Sequence, residues 1–185
     1  MNTNNTSYTL PTKIIHLGLA VFGIAAYLTA EGAEHGDAGF GYLLHAYLGL
    51  SLMAFIALRG IRGVIGSAEM RFSSWSPFSK RQWLLAIDDV KSLMQLKMPE
   101  RGMHEGIAGL TQAFGLMIFA WMGATGTALF FINENMNGTL YDIFEETHEV
   151  GESLIPLYLI LHIGSVVAHS LAGKPIWQRM WRFHK

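Results

Sequence analysis

The sequence predicts an all-α integral membrane protein: a bundle of four transmembrane helices with both termini in the cytoplasm. Three observations carry that prediction. Apolar residues gather into four blocks, at about 14–30, 40–58, 107–132 and 150–171. Each block is close to the about 20 residues that cross a hydrocarbon core, and lipid leaves a backbone of that length no option but the helix. All 13 Lys and Arg lie on one side of these blocks, the cytoplasmic side by the positive-inside rule.

Taken in order, the polar start MNTNNTSYTLPTK offers no signal-peptide cleavage pattern, so the first block is expected to remain as the first span. Lys13 precedes it. The loop to the second span carries only acids: Glu31, Glu34 and Asp37. After the second span comes the one long loop, about 60–102, with Arg59, Arg62, Arg71, Lys80, Arg81, Lys91, Lys97 and Arg101 in or beside it. Its middle predicts a short amphipathic helix, with Ser76 as N-cap, Pro77 as first helical residue, and Trp83, Ile87, Val90 and Met94 on one stripe. Such a helix lies on the inner membrane surface or packs on the ends of the spans. The loop between the third and fourth spans is again acidic, with Glu134, Asp142, Glu145 and Glu146, and Lys174, Arg179, Arg182 and Lys185 follow the fourth span. With 185 residues, 51% of them hydrophobic, and a mean hydropathy of +0.29, the chain suits a single domain over 1–185. It has no cysteine, which excludes disulfides, iron–sulfur clusters and thioether-bound haem. No nucleic-acid partner is expected.

The fourth block carries histidines at 148, 162 and 169. Fourteen residues turn a helix by about 1400°, about 40° short of four turns, so His148 and His162 share a face about 21 Å apart. Chain direction then gives each histidine a depth. His45, early on the inward-running second span, matches His148 near the outer surface. His16, early on the outward-running first span, matches His162 in the inner half. Ionisable groups inside a membrane are costly and mark function. Facing imidazoles on neighbouring helices suit the axial positions of b-type haem, and two such haems, about 20 Å apart by the helical rise, make an electron path across the bilayer. Gly49, one turn after His45, leaves room for a flat ring; Gly18 and Gly151 serve likewise, or allow close helix packing. The rival reading is a histidine-lined metal transporter without haem, with Glu149 and Glu152 beside His148.

IIHLGLAVFGIAAYL at 14–28, LLHAYLGLSLMAFIALRGIRG at 43–63 and THEVGESLIPLYLILHIGSVVAH at 147–169 resemble the bacterial four-helix di-haem cytochrome b family. That family includes the stand-alone cytochrome b561 proteins and the cytochrome b subunits of nickel–iron hydrogenases and formate dehydrogenases. The resemblance covers nearly the whole chain. It implies two non-covalent b-type haems on His16, His45, His148 and His162, and an arginine 14 residues after the second-span histidine, here Arg59. Leu17 stands where stand-alone members often have tryptophan, while HEGIAGL at 104–110 is similar to the hydrogenase-type subunits. The subgroup therefore stays open.

From this follow the remaining expectations. Arg59, Arg62 and Arg101 meet the propionates of the inner haem or anchor helix ends. Tyr42 and Tyr47 are donors for the outer propionates. The acidic outer loops dock a basic periplasmic electron-transfer protein or enzyme, or merely complement the basic inner side. His169, with His104, lines a quinone site and relays protons, or is an ordinary interfacial histidine. His35 and His184 carry no signal. The expected function is electron transfer between a periplasmic partner and the quinone pool of the bacterial inner membrane. The alternative, suggested by the stand-alone members, is oxidation of a small outer species such as superoxide with quinone as acceptor. Membrane lipid surrounds the protein, and a homodimer is compatible with it.

Overall fold

The computed structural model describes residues 7–33, 39–67, 70–99, 101–102, 104–132 and 137–181. Glu34, His35, Asp37, Glu134, Arg182, His184 and Lys185 lie outside the described residues. Within them all regular structure is helical: α1 (Leu10–Leu28), α2 (Phe40–Ile65), α3 (Phe72–Trp75), α4 (Lys80–Met94), α5 (Gly106–Phe131), α6 (Gly138–Leu171) and α7 (Gln178–Trp181). Helices α1, α2, α5 and α6 are long and apolar enough to cross a membrane, and the chain is a multi-pass membrane protein.

Several boundaries differ from the sequence expectation: α1 begins at Leu10 rather than about 14, and α2 runs to Ile65 rather than about 58. Helix α6 has 34 residues and begins at Gly138 rather than about 150. Asn137 caps it, its side-chain oxygen accepting from the Leu140 amide at 3.1 Å. The polar stretch TLYDIFEETH is therefore helix too, and α6 is about 51 Å long by its rise per residue. Pro156 lies inside it. The amphipathic helix starts later than Ser76: Ser79 is its N-cap, accepting from the Gln82 amide at 3.2 Å. Ser76 instead closes the short α3, and its hydroxyl accepts from the Phe78 amide.

The chain forms two compact units. The first comprises Met1–Lys13, Gly60–Gly115 and Pro156–Lys185; the second comprises Ile14–Arg59 and Leu116–Ile155.

In the first unit α4 packs through polar side chains. Gln82 and Asp89 are each 3% exposed, whereas Trp83 is 55% and Met94 81% exposed. Residues 82, 86 and 89 recur at helical spacing, so they form one buried face beside the apolar stripe. The buried face meets the start of α5. Gln82 Nε2 donates to the carbonyls of His104 (3.0 Å) and Gly106 (3.2 Å), and Asp89 Oδ2 accepts from the Ile107 amide (3.0 Å). Asp89 thus fills the place of an N-cap from another helix, satisfying one of the first amides of α5. Gly106 has φ +62°, and a Cβ there would lie 1.8 Å from Asp89 Oδ2, so only glycine fits unchanged. Arg101 closes the cluster, with Nε 2.8 Å from Asp89 Oδ1 and a second contact to Asp88. Hydrogen bonds to Asp89 and then Asp88 hold the Arg101 guanidinium above its ordinary pKa. The N-terminal segment is tied into the same unit: the Tyr8 amide and the Ser7 hydroxyl both donate to the Arg179 carbonyl, at 3.1 and 3.2 Å.

In the second unit the spans approach through glycines. A Cβ on Gly18 of α1 would lie 2.3 Å from the Phe55 ring of α2, and one on Gly123 of α5 would lie 2.7 Å from Met53 of α2. Gly151 of α6 faces Met122 of α5 at 2.5 Å in the same sense. Without a hydrophobic driving force between helices in lipid, close backbone approach of this kind supplies the van der Waals contact that holds them. Leu52, Ile56, Ile118 and Ile155 are buried among these contacts.

Candidate functional site

The second unit brings His45 and His148 together. Their ring centroids are 6.1 Å apart with planes at 86°. Two imidazoles facing one metal ion from opposite sides, each with a nitrogen–metal bond of about 2 Å, place their ring centres about 6 Å apart. The observed separation fits that arrangement.

Both rings are held through Nδ1. His45 Nδ1 donates to the Ala26 carbonyl at 3.0 Å. Ala26 lies in the last turn of α1, and its carbonyl also accepts from the Thr29 amide at 3.1 Å and the Thr29 hydroxyl at 3.0 Å. His148 Nδ1 lies 2.8 Å from Thr125 Oγ1 of α5. That hydroxyl is also 2.9 Å from the Trp121 carbonyl one turn earlier, the back-bond typical of threonine in apolar helices. With its one hydrogen on that carbonyl, which can only accept, the hydroxyl is the acceptor for a proton on His148 Nδ1. In each histidine the proton then sits on Nδ1 and Nε2 keeps its lone pair, the state that binds a metal.

Helix α5, which has no histidine, supplies two further contacts. The Trp121 indole donates to the Thr147 carbonyl at 3.0 Å, next to His148. A Cβ on Gly126 would lie 3.1 Å from His148 Cε1, so glycine lets the ring lie close to α5. Sequence inspection for histidines passes over all of these. The available signal was a Trp-x-x-x-Thr-Gly run with polar members inside an apolar span.

The glycines separate by surroundings. Gly49 has nothing within 4 Å of a would-be Cβ, which leaves open space one turn from His45. Gly18 and Gly151 are packing positions. Tyr42 is half-buried and Tyr47 exposed; the Tyr47 ring lies 6.1 Å from that of Phe130.

The other expected residues are distributed as follows. His16 is a half-buried residue of α1 in the second unit. His162 belongs to the first unit, where its ring stacks on Tyr158 at 5.5 Å and 19°. Gly115 makes room for Tyr158, since a Cβ there would lie 2.1 Å from its ring. Arg59 is a buried guanidinium, 4% exposed, on α2. His169 donates from Nδ1 to the Ser165 carbonyl of its own helix at 2.8 Å. The His104 ring stands between Tyr8 (5.9 Å) and Trp75 (5.6 Å), on a backbone with φ +62°. Among the described residues no three His, Asp or Glu groups converge into a metal cluster.

A family model described as prokaryotic cytochrome b561 matches residues 7–183. No curated protein and no solved structure matches the chain.

Proposed function

The chain belongs to the prokaryotic cytochrome b561 family, and from that premise we propose that it relays electrons between a periplasmic redox partner and the quinone pool of the inner membrane through two non-covalent haems. The family establishes the coarser statement: the protein is a membrane b-type cytochrome of electron transfer. The finer reading rests on one observation above all, the His45–His148 pair with both Nδ1 atoms anchored.

Haem, when bound, supplies a one-electron iron couple. The residues of the chain do the rest. His45 and His148 would hold the outer haem by their Nε2 atoms, and Gly49 leaves space for the macrocycle beside them. His16 and His162 are the corresponding pair on the inner side, by helical spacing and chain order alone. Arg59 is a buried cation suited to an anionic group, such as a haem propionate. His169 and His104 are the candidates for a quinone site, since quinone reduction takes up protons as well as electrons. The exposed acids Asp142, Glu145, Glu146 and Glu149 on α6 suit a basic partner. The exposed apolar stripe of α4 suits membrane lipid.

Pyridine haemochrome analysis of the purified protein tests the core. We expect about two b-type haems per chain, one for each histidine pair, and one fewer in His45→Ala and in His148→Ala. Protein made with ample haem that carries none would overturn the reading.

A further inference from the structure

We propose that Thr125 is the positioning residue of the outer site: it fixes the proton and the ring of His148 and thereby sets the reduction potential of the haem that His45 and His148 hold. The inference rests on the ligand reading of that pair. Thr125 is buried, so water does not replace its hydroxyl. Its hydroxyl lies 2.9 Å from the Trp121 carbonyl, which can only accept, and 2.8 Å from His148 Nδ1, so with its hydrogen on the carbonyl it is placed to accept the imidazole proton. Gly126, the next residue, lets the ring approach α5, and Trp121, one turn before, holds the backbone at Thr147. Three residues on one stretch of α5 therefore grip a ligand carried by α6.

An acceptor at Nδ1 raises the basicity of the ligating nitrogen. A more basic imidazole favours the oxidised, more positive iron. Removing the acceptor weakens that preference, so the potential rises. His45 is tied to a backbone carbonyl and does not change with the side chain at 125. One of two haems should therefore respond.

The test is a spectroelectrochemical titration of the purified holoprotein, with low-spin electron paramagnetic resonance of the oxidised form. Thr125→Val keeps the shape and removes the acceptor. We expect one b-type centre to move to higher potential with a changed low-spin signal, the other to stay in place, and haem retention at the affected site to weaken about 10- to 100-fold. Thr125→Ser should restore the parent potential and spectrum. If the valine variant does not assemble, Thr125→Cys, a weak acceptor, must move the same centre in the same direction. Unchanged potentials in Thr125→Val, or a serine variant that behaves like valine, would overturn the role. His148→Ala separates this from the premise. If it keeps both haems, the ligand reading fails; if it loses one while Thr125→Val shifts nothing, only the Thr125 role fails.

Discussion

Gly49 and Gly18 sit on two of the histidine-bearing spans, each within one turn of its histidine, yet they answer different needs. Gly18 is pressed by Phe55, whereas Gly49 faces empty space. Their substitutions should therefore separate folding from cofactor binding. Gly18→Leu must displace the Phe55 ring and should cost about 1–3 kcal/mol of stability, seen as a lower melting temperature in detergent. At Gly49 a Cβ meets no atom within 4 Å, so in Gly49→Leu the melting temperature of the haem-free protein should stay near that of the parent, while haem per chain falls. The histidines were legible in the sequence because an imidazole in an apolar run is costly and therefore conspicuous. Thr125 was not, because a threonine that back-bonds to its own helix costs little in an apolar segment. Only the rotation of α5 against α6 brings it to His148, and the periodicity of one helix says nothing of its rotation against another.

Helix α4 departs from the usual order of burial: the polar Gln82 and Asp89 face the protein and its apolar stripe faces outward. Asp89 is the pivot, joining the Ile107 amide and Arg101. Asp89→Ala should destabilise the protein by about 1–3 kcal/mol, since it strips an amide of its cap and leaves a half-buried arginine with one carboxylate fewer. Differential scanning calorimetry in a fixed detergent would read this, and haem content should be spared. The apolar stripe of α4 was readable from spacing, but its start was not. Ser76 and Ser79 both precede helical periodicity, and the choice fell to the serine whose hydroxyl reaches the Gln82 amide. The early start of α6 was hidden for a related reason. Hydropathy reports where a helix can enter lipid, whereas Asn137 starts this one where the residues are still polar.

The distribution of charge belongs to the molecule as a whole. Every Lys and Arg lies at the start of the first span, from the end of the second to the third, or after the fourth. This predicts that Asp142 and Phe78 lie on opposite sides of the membrane. The chain has no cysteine, so single thiols report cleanly. In intact spheroplasts, Asp142→Cys should react with an impermeant maleimide and Phe78→Cys only after lysis; the opposite pattern would invert the topology. The four spans were visible from composition alone, because crossing lipid demands length and apolarity and little else. The pairing of His45 with His148 was legible too, from chain direction and depth, whereas the anchors on their Nδ1 atoms needed the fold. The same pairing also has a calendar. His45 and its Ala26 anchor leave the ribosome about a hundred residues before His148. At about 5–20 residues per second, that is an interval of about 5–20 s. During it the nascent chain carries one imidazole of the pair. On the proposed ligand reading, haem captured then would be held by half its grip, and insertion of the last helix would be the event that commits the cofactor.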